Sequence, residues 1–124
     1  KLINIGREKH SHANLVRGRG EKIPFENEKF HGVFAECTLS LMDDLKCVVG
    51  EVFRVLKPKG WFVITDVYAK NPEFIRDLKN ISVNSCMRNP QDLELLKETM
   101  KKSGFHILLL EDCSQMLKQL PMVL

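Results

Sequence analysis

A mostly parallel α/β sheet is the fold class this sequence predicts, and three observations carry the prediction. Leu45, Val48, Val49, Val52, Phe53 and Leu56 recur at i, i+3, i+4, i+7, i+8 and i+11, a single apolar stripe at the helical period. Trp61, Phe62, Val63 and Ile64 follow as an apolar run without alternation, the pattern of a strand covered on both faces, and the run closes on Asp66. Further apolar runs at 33–35 and 105–110, each ending at an acid, alternate with helical stretches, as parallel strands joined by helices do. An acid ending such a strand points into the crevice where open α/β sheets bind ligands. Glu36 and Asp66 therefore mark where to look for chemistry.

The remaining elements follow in order. Leu2, Ile3 and Ile5, set among charges, read as the last turns of a helix that Gly6 weakens. Residues 14–17 form a short strand candidate, broken by Gly18-Arg19-Gly20. Ile23-Pro24-Phe25 and the charged residues 26–29 read as a turn and polar loop before the strand at 30–36, and residues 37–42 connect that strand to the long helix. Asp43 or Asp44 caps this helix. Pro58 cannot continue it, and Gly60 suits a turn that needs positive φ. Asn71 with Pro72 starts a helix running to about residue 83, and residues 84–88 are a loop. Asn89-Pro90 repeats the cap-plus-proline start, with Asp92 in the first turn, Leu93, Leu96 and Met100 facing inward, and Gly104 as the stop. Residues 114–120 make a final helical turn before Pro121.

At 124 residues the chain is one domain at most, and 44% hydrophobic with 28% charged residues is a globular composition. No apolar run approaches the roughly 20 residues of a membrane helix. Cysteines at 37, 47, 86 and 113 form no C-x-x-C pair, a spacing poor for zinc and for a disulfide scaffold; reduced cytoplasmic thiols and no metal are expected. A net charge of +3 is too small to imply nucleic acid. Residues 1–22 do hold six basic side chains against two acidic ones, read as a solvated surface ahead of a basic rim for an anion. The chain opens without Met or a signal peptide, so it is expected to start inside something longer or to have been trimmed.

Three stretches taken together are familiar. Gly18-Arg19-Gly20-Glu21-Lys22-Ile23-Pro24-Phe25, then Phe30-His31-Gly32-Val33-Phe34, then Glu51-Val52-Phe53-Arg54-Val55-Leu56-Lys57-Pro58-Lys59-Gly60 resemble the class I S-adenosylmethionine-dependent methyltransferases, nearest to the ubiquinone and menaquinone branch. Leu95-Leu96-Lys97-Glu98 through Gly104-Phe105 matches a later helix-to-strand step of that pattern. The resemblance covers residues 1 to about 112. It implies a three-layer Rossmann-like sheet, incomplete here: the family's first two strands would precede Lys1 and its last would follow Leu124. Arg19 stands where the family often has an acid, and Lys59 where it has a glycine. Because the family's first two strands lie between those expected at 14–17 and 33–35, and its last between 61–64 and 105–110, the strands of this chain are not expected to form one continuous sheet. The unpaired edges imply that the missing strands lie outside this stretch of chain, are supplied by another copy in a homodimer that completes the sheet, or are replaced by a rearranged pairing.

The resemblance also implies a division of labour within a partial methyltransferase domain spanning 1–124. Residues 1–70 carry the cofactor side, 71–103 a helical substrate cover, and 104–124 the C-terminal strand and tail. The intact enzyme would move a methyl group from S-adenosylmethionine to a small molecule. Alignment and exclusion of water do most of this work, and a base is needed only where the acceptor holds a proton. Arg19 and Gly20 occupy the turn that meets the adenine, with simple turn chemistry as the competing role for the glycine. Glu36, Cys37 and Thr38 line the methionine part of the cofactor and the methyl path, and Cys37 is alternatively a small buried hydrophobe. Asp66 and Tyr68 orient an acceptor, with Asp66 and Glu36 as candidate catalytic groups and capping as the other role for Asp66. Cys86 and Arg88 fall in the cover and are candidate substrate contacts. Two further classes compete: a non-enzymatic binding module of methyltransferase shape, and, less favoured for want of the Asp/Asn-Pro-Pro-Tyr/Phe motif, a nucleic-acid methyltransferase.

Overall fold

The computed structural model describes residues 2–78 and 89–119. Helix α1 (Leu2–Lys9) is followed by strand β1 (Phe30–Glu36), a 3-10 turn at Leu39–Leu41, helix α2 (Leu45–Val55) and strand β2 (Leu56–Thr65). A second 3-10 turn at Pro72–Phe74 leads into the short helix α3 (Ile75–Leu78), and α4 (Leu93–Lys102) and α5 (Ser114–Gln119) complete the order. The two strands pair in parallel, from Gly32 opposite Trp61 to Glu36 opposite Thr65.

Helix α2 organises the rest. Asp44 is its N-cap, accepting from Cys47 N at 3.1 Å, which settles the choice between Asp43 and Asp44. Its stripe buries Val48, Val49, Val52 and Val55. Val48 and Val52 form a core with Ala35, Leu39 and Leu56, against which Val33, Phe62, Ile64, Leu96 and Phe105 pack. Leu56 closes the helix through its N–H to Val52 O and begins β2 with no loop between them. Helix α4 starts at its own cap, Asp92, which accepts from Leu95 N at 3.2 Å. Asn89 was the expected cap there; its side chain instead donates to Ser40 O. Gly104 ends α4 at φ 104, as expected, and a Cβ there would lie 2.9 Å from the Phe53 ring. Asn71 makes no side-chain cap bond, and the expected continuation of that helix to residue 83 lies outside the described residues.

The expected turn at 58–60 is a bulged strand. Residue 31 of β1 stands against residues 57–60 of β2, so the ladder swells at Pro58, which cannot donate to it. Lys59, not Gly60, takes the left-handed conformation, at φ 63. Gly60 answers a spatial need: a Cβ would sit 2.8 Å from Lys57 O and 3.1 Å from His31 O.

Residues 14–17 and 105–110 are not strands. Both are apolar enough, but a strand also requires a partner edge, and none reaches them among the described residues. The sheet order β1-β2 joins the two runs expected to be adjacent and leaves out the two expected to be separated from them. β2 is covered on one face only: Phe62 and Ile64 are half-buried, whereas Trp61 and Val63 are exposed. The described residues thus form part of a layered α/β fold, one sheet fragment with α2 packed on one face and α4 against α2.

Candidate functional site

The two strands run in the same direction, so their carboxyl ends form a common edge. Past Glu36 the chain turns sharply: Cys37 has φ 49, and its N–H bonds Thr65 O at 2.7 Å. That bond carries the ladder one step beyond the last strand pair and leaves Glu36 and Cys37 exposed, with Thr38 half-buried at the start of the 3-10 turn. On the neighbouring strand Asp66 accepts from Val67 N at 2.8 Å through Oδ1 and from Ser40 N at 3.3 Å through Oδ2. Ser40 is buried, its carbonyl accepts from Asn89 Nδ2 at 3.1 Å, and its hydroxyl has no partner among the described residues. Asp66 therefore ties the exits of β1 and β2 together.

Tyr68 lies two residues further on. Ala69 N donates to Gln91 O at 2.8 Å and Gln91 N to Val67 O at 2.7 Å, so buried Gln91 clamps the backbone around the tyrosine. The phenol donates to Asp112 Oδ2 at 2.7 Å. Asp112 also accepts from the backbone N–H of Ser114 at 2.9 Å and from its hydroxyl. These donors, the Ser114 hydroxyl first and the phenol next, hold the Asp112 carboxyl down to about 2; the carboxylate, with some desolvation, pushes the Tyr68 phenol up. Sequence reasoning missed Asp112 because its partner is 44 residues away. The acid pair Glu111-Asp112 closing an apolar run was the available signal.

Arg19 and Gly20 lie elsewhere, against the start of α2. The Arg19 guanidinium pairs with Asp43 at 3.0 Å and with Glu21 at 3.6 Å. Gly20 is packed under Met42, whose Sδ would be 2.8 Å from an added Cβ, so closeness to Met42 and Val48 explains the glycine. Cys86 and Arg88 lie outside the described residues. Arg54 was assigned no role from sequence, yet all five of its N–H donors are engaged: two by Glu51 (2.8 and 2.9 Å), the others by Ile23 O, Phe25 O and Asn27 Oδ1. Glu51 in turn accepts from Ile23 N at 2.8 Å, and the Arg54 guanidinium holds its carboxyl down to about 2. Among the described residues no cluster of three His, Cys, Asp or Glu could hold a metal ion, and no helix is long and apolar enough to cross a membrane.

Comparison with known proteins bears on the family and the fold. The family described as "Methyltransferase domain" matches residues 1–64. Botryococcene C-methyltransferase of Botryococcus braunii is 31% identical over 99 residues, covering 75% of this chain and 26% of that protein. Sterol 24-C-methyltransferase of Saccharomyces cerevisiae is 28% identical over 114 residues, 87% of this chain and 30% of that protein. Demethylmenaquinone methyltransferase of Streptomyces griseus is 31% identical over 65 residues, 52% of this chain and 28% of the relative. The chain thus spans about a quarter to a third of the length of these relatives. Among solved structures, a SAM-dependent methyltransferase from Thermotoga maritima superposes with a TM-score of 0.70 at 22% identity, over 86% of this chain and 51% of that one. A Bacillus halodurans structure gives 0.63 at 20% identity, over 84% and 48%.

Proposed function

Since the chain belongs to the methyltransferase domain family, whose cofactor is S-adenosylmethionine, we propose that the whole protein transfers a methyl group from that cofactor to a small-molecule acceptor with a large apolar body. The observation that carries the reading is the shared carboxyl edge of β1 and β2, where Glu36, Cys37, Thr38, Asp66 and Tyr68 gather. The acceptor class draws on the relatives named for a sterol, a botryococcene and a demethylmenaquinone.

The residues present fit one side of the cofactor. An exposed carboxylate on Glu36, a half-buried hydroxyl on Thr38 and the left-handed turn at Cys37 stand together, a donor set suited to an amino-acid ammonium and a sulfonium. When bound, the cofactor supplies an electrophilic methyl group. Glu36 binds its charged end, and the turn at Cys37 keeps the path beside it open. Asp66 acts as a positioning residue through the two strand exits it joins. Tyr68, held by Asp112, presents its ring to the acceptor. The adenine role of Arg19 and Gly20 draws on the resemblance, and an adenine there would meet a guanidinium already paired with Glu21 and Asp43.

Titrating S-adenosylhomocysteine into the full-length protein tests this. Saturable binding is expected, weakened about tenfold or more by Glu36→Gln, on the scale of a lost charge-assisted hydrogen bond, with the melting temperature unchanged. Absence of binding by folded protein would remove the methyl-transfer reading. Unchanged affinity in the variant would remove Glu36 from the site.

A further inference from the structure

What Tyr68 and Asp112 offer a ligand follows from where their hydrogens go. A phenol has one O–H donor and two lone pairs, and an ionised carboxylate has no hydrogen to give. The O–H of Tyr68 points to Asp112 Oδ2 at 2.7 Å. The other carboxylate oxygen takes the backbone N–H and the hydroxyl of Ser114. These donors, the Ser114 hydroxyl first, and more weakly the charge of Lys70 hold the Asp112 carboxyl down to about 2, so it is ionised at neutral pH. A carboxylate so weakly basic takes no proton from the phenol. The pair is therefore no proton relay, and the O–H stays committed to Asp112.

Toward any other group, Tyr68 Oη shows lone pairs alone. A neighbouring carboxylate that draws on the O–H makes that oxygen a stronger acceptor than a free phenol. Its place is fixed as well. The backbone on either side, through Val67 O and Ala69 N, is bonded to buried Gln91, and Asp66, Tyr68, Gln91, Asp112 and Ser114 line one hollow.

We propose that Tyr68 is the specificity residue of the acceptor site: its phenol oxygen receives a hydrogen bond from an O–H or N–H of the methyl acceptor, with Asp112 and Ser114 as positioning residues. This deepens the methyl-transfer reading and rests on it for the place of Tyr68. A ketone or an ether has no hydrogen to offer and leaves the oxygen unpaired, so the apolar acceptor is an alcohol, a phenol or an amine. Asp112 sets this choice through its charge. In Asp112→Asn the carboxamide oxygen stays with the two donors of Ser114, which turns the NH₂ toward Tyr68. The amide then donates to the phenol, and the phenol hydrogen is released toward the ligand.

Calorimetric titration of 1-naphthol and of 1-methoxynaphthalene into the full-length protein saturated with S-adenosylhomocysteine tests this. The two probes share an apolar body and an oxygen and differ in the hydrogen. Naphthol should bind about tenfold tighter, the scale of one hydrogen bond. Tyr68→Phe and Asp112→Asn should each bring the two affinities together, whereas a merely structural role would weaken both probes alike. In protein carrying carbon-13 tyrosine, the Tyr68 ring, identified by its loss in Tyr68→Phe, should ionise above the ordinary tyrosine range and return toward it in Asp112→Asn. Equal affinities in the unaltered protein, a preference that survives either substitution, naphthol that does not bind, or a tyrosine titration that Asp112→Asn leaves in place would overturn the proposal while S-adenosylhomocysteine binding upholds methyl transfer. Folded protein that does not bind S-adenosylhomocysteine would remove both.

Discussion

On one face of the sheet Val33, Ala35, Phe62 and Ile64 pack into the core beneath α2; on the other Phe34, Trp61 and Val63, drawn from the same two strands, stand in solvent. The residues are equally apolar, so hydrophobicity does not distinguish the faces. What differs is supply: α2 follows β1 after one 3-10 turn, caps on Asp44, and turns its valine stripe onto the nearer face before entering β2. No described element reaches the other. An uninterrupted apolar strand is composed for two covering layers, and here one of them is met from within the chain.

The largest test of this contrast is truncation on the covered face. Leu56→Ala should cost about 2–5 kcal/mol in denaturant unfolding, the range for emptying a well-packed core position. Next comes acid. The Glu51 carboxyl is held down to about 2 from 4.5, chiefly by Arg54, so its contribution is present above the unfolded value and is lost as pH falls from about 4.5 toward 2. A melting series across that window should show the decline, and Arg54→Met should flatten it; an unchanged slope would remove the pair from the account of why residues 23–27 stay with α2. Smaller again, Asp44→Ala should cost about 1 kcal/mol, the worth of an N-cap. Smallest of all, Trp61→Ala on the bare face should fall within about 0.5 kcal/mol at low protein concentration, where a surface position is expected to be silent. A cost comparable to that of Leu56→Ala would mean the bare face is covered in solution, and the contrast would fail.

The same comparison explains what was legible in the sequence. The stripe of α2, its Asp44 cap and the Gly104 stop are local signals, each written within a turn or two of helix, and the structure carries them. The adjacency of β1 and β2 was implied by the strand order of the family the sequence resembles. Residues 105–110 read as a strand and are not one, because strand formation depends on a partner edge that local composition cannot supply. Pro58-Lys59-Gly60 read as a turn because proline and glycine punctuate; register against His31 made it a bulge. In the candidate site, Glu36 and Asp66 were expected from the acids that close their strands, Tyr68 from its place beside Asp66, and Cys37 and Thr38 from the resemblance. The bonds to Asp112, Ser40 and Asn89 were not, since each joins segments far apart in the chain.

Arg54 has one more consequence. Residues 23–29 contain no helix or strand, yet Ile23, Phe25 and Asn27 are bound to Arg54 or Glu51, and Glu28 N and Lys29 N donate to the carbonyls of Arg54 and Val55 at 2.9 and 2.8 Å. A protease seeking an irregular surface loop would find Phe25 here, the ordinary kind of nicking site. Freeing that bond for cleavage, however, requires undoing the last turn of α2. Chymotryptic cutting at Phe25 should therefore keep pace with opening of the helix itself, and a loop by shape behaves as core by accessibility to the enzyme.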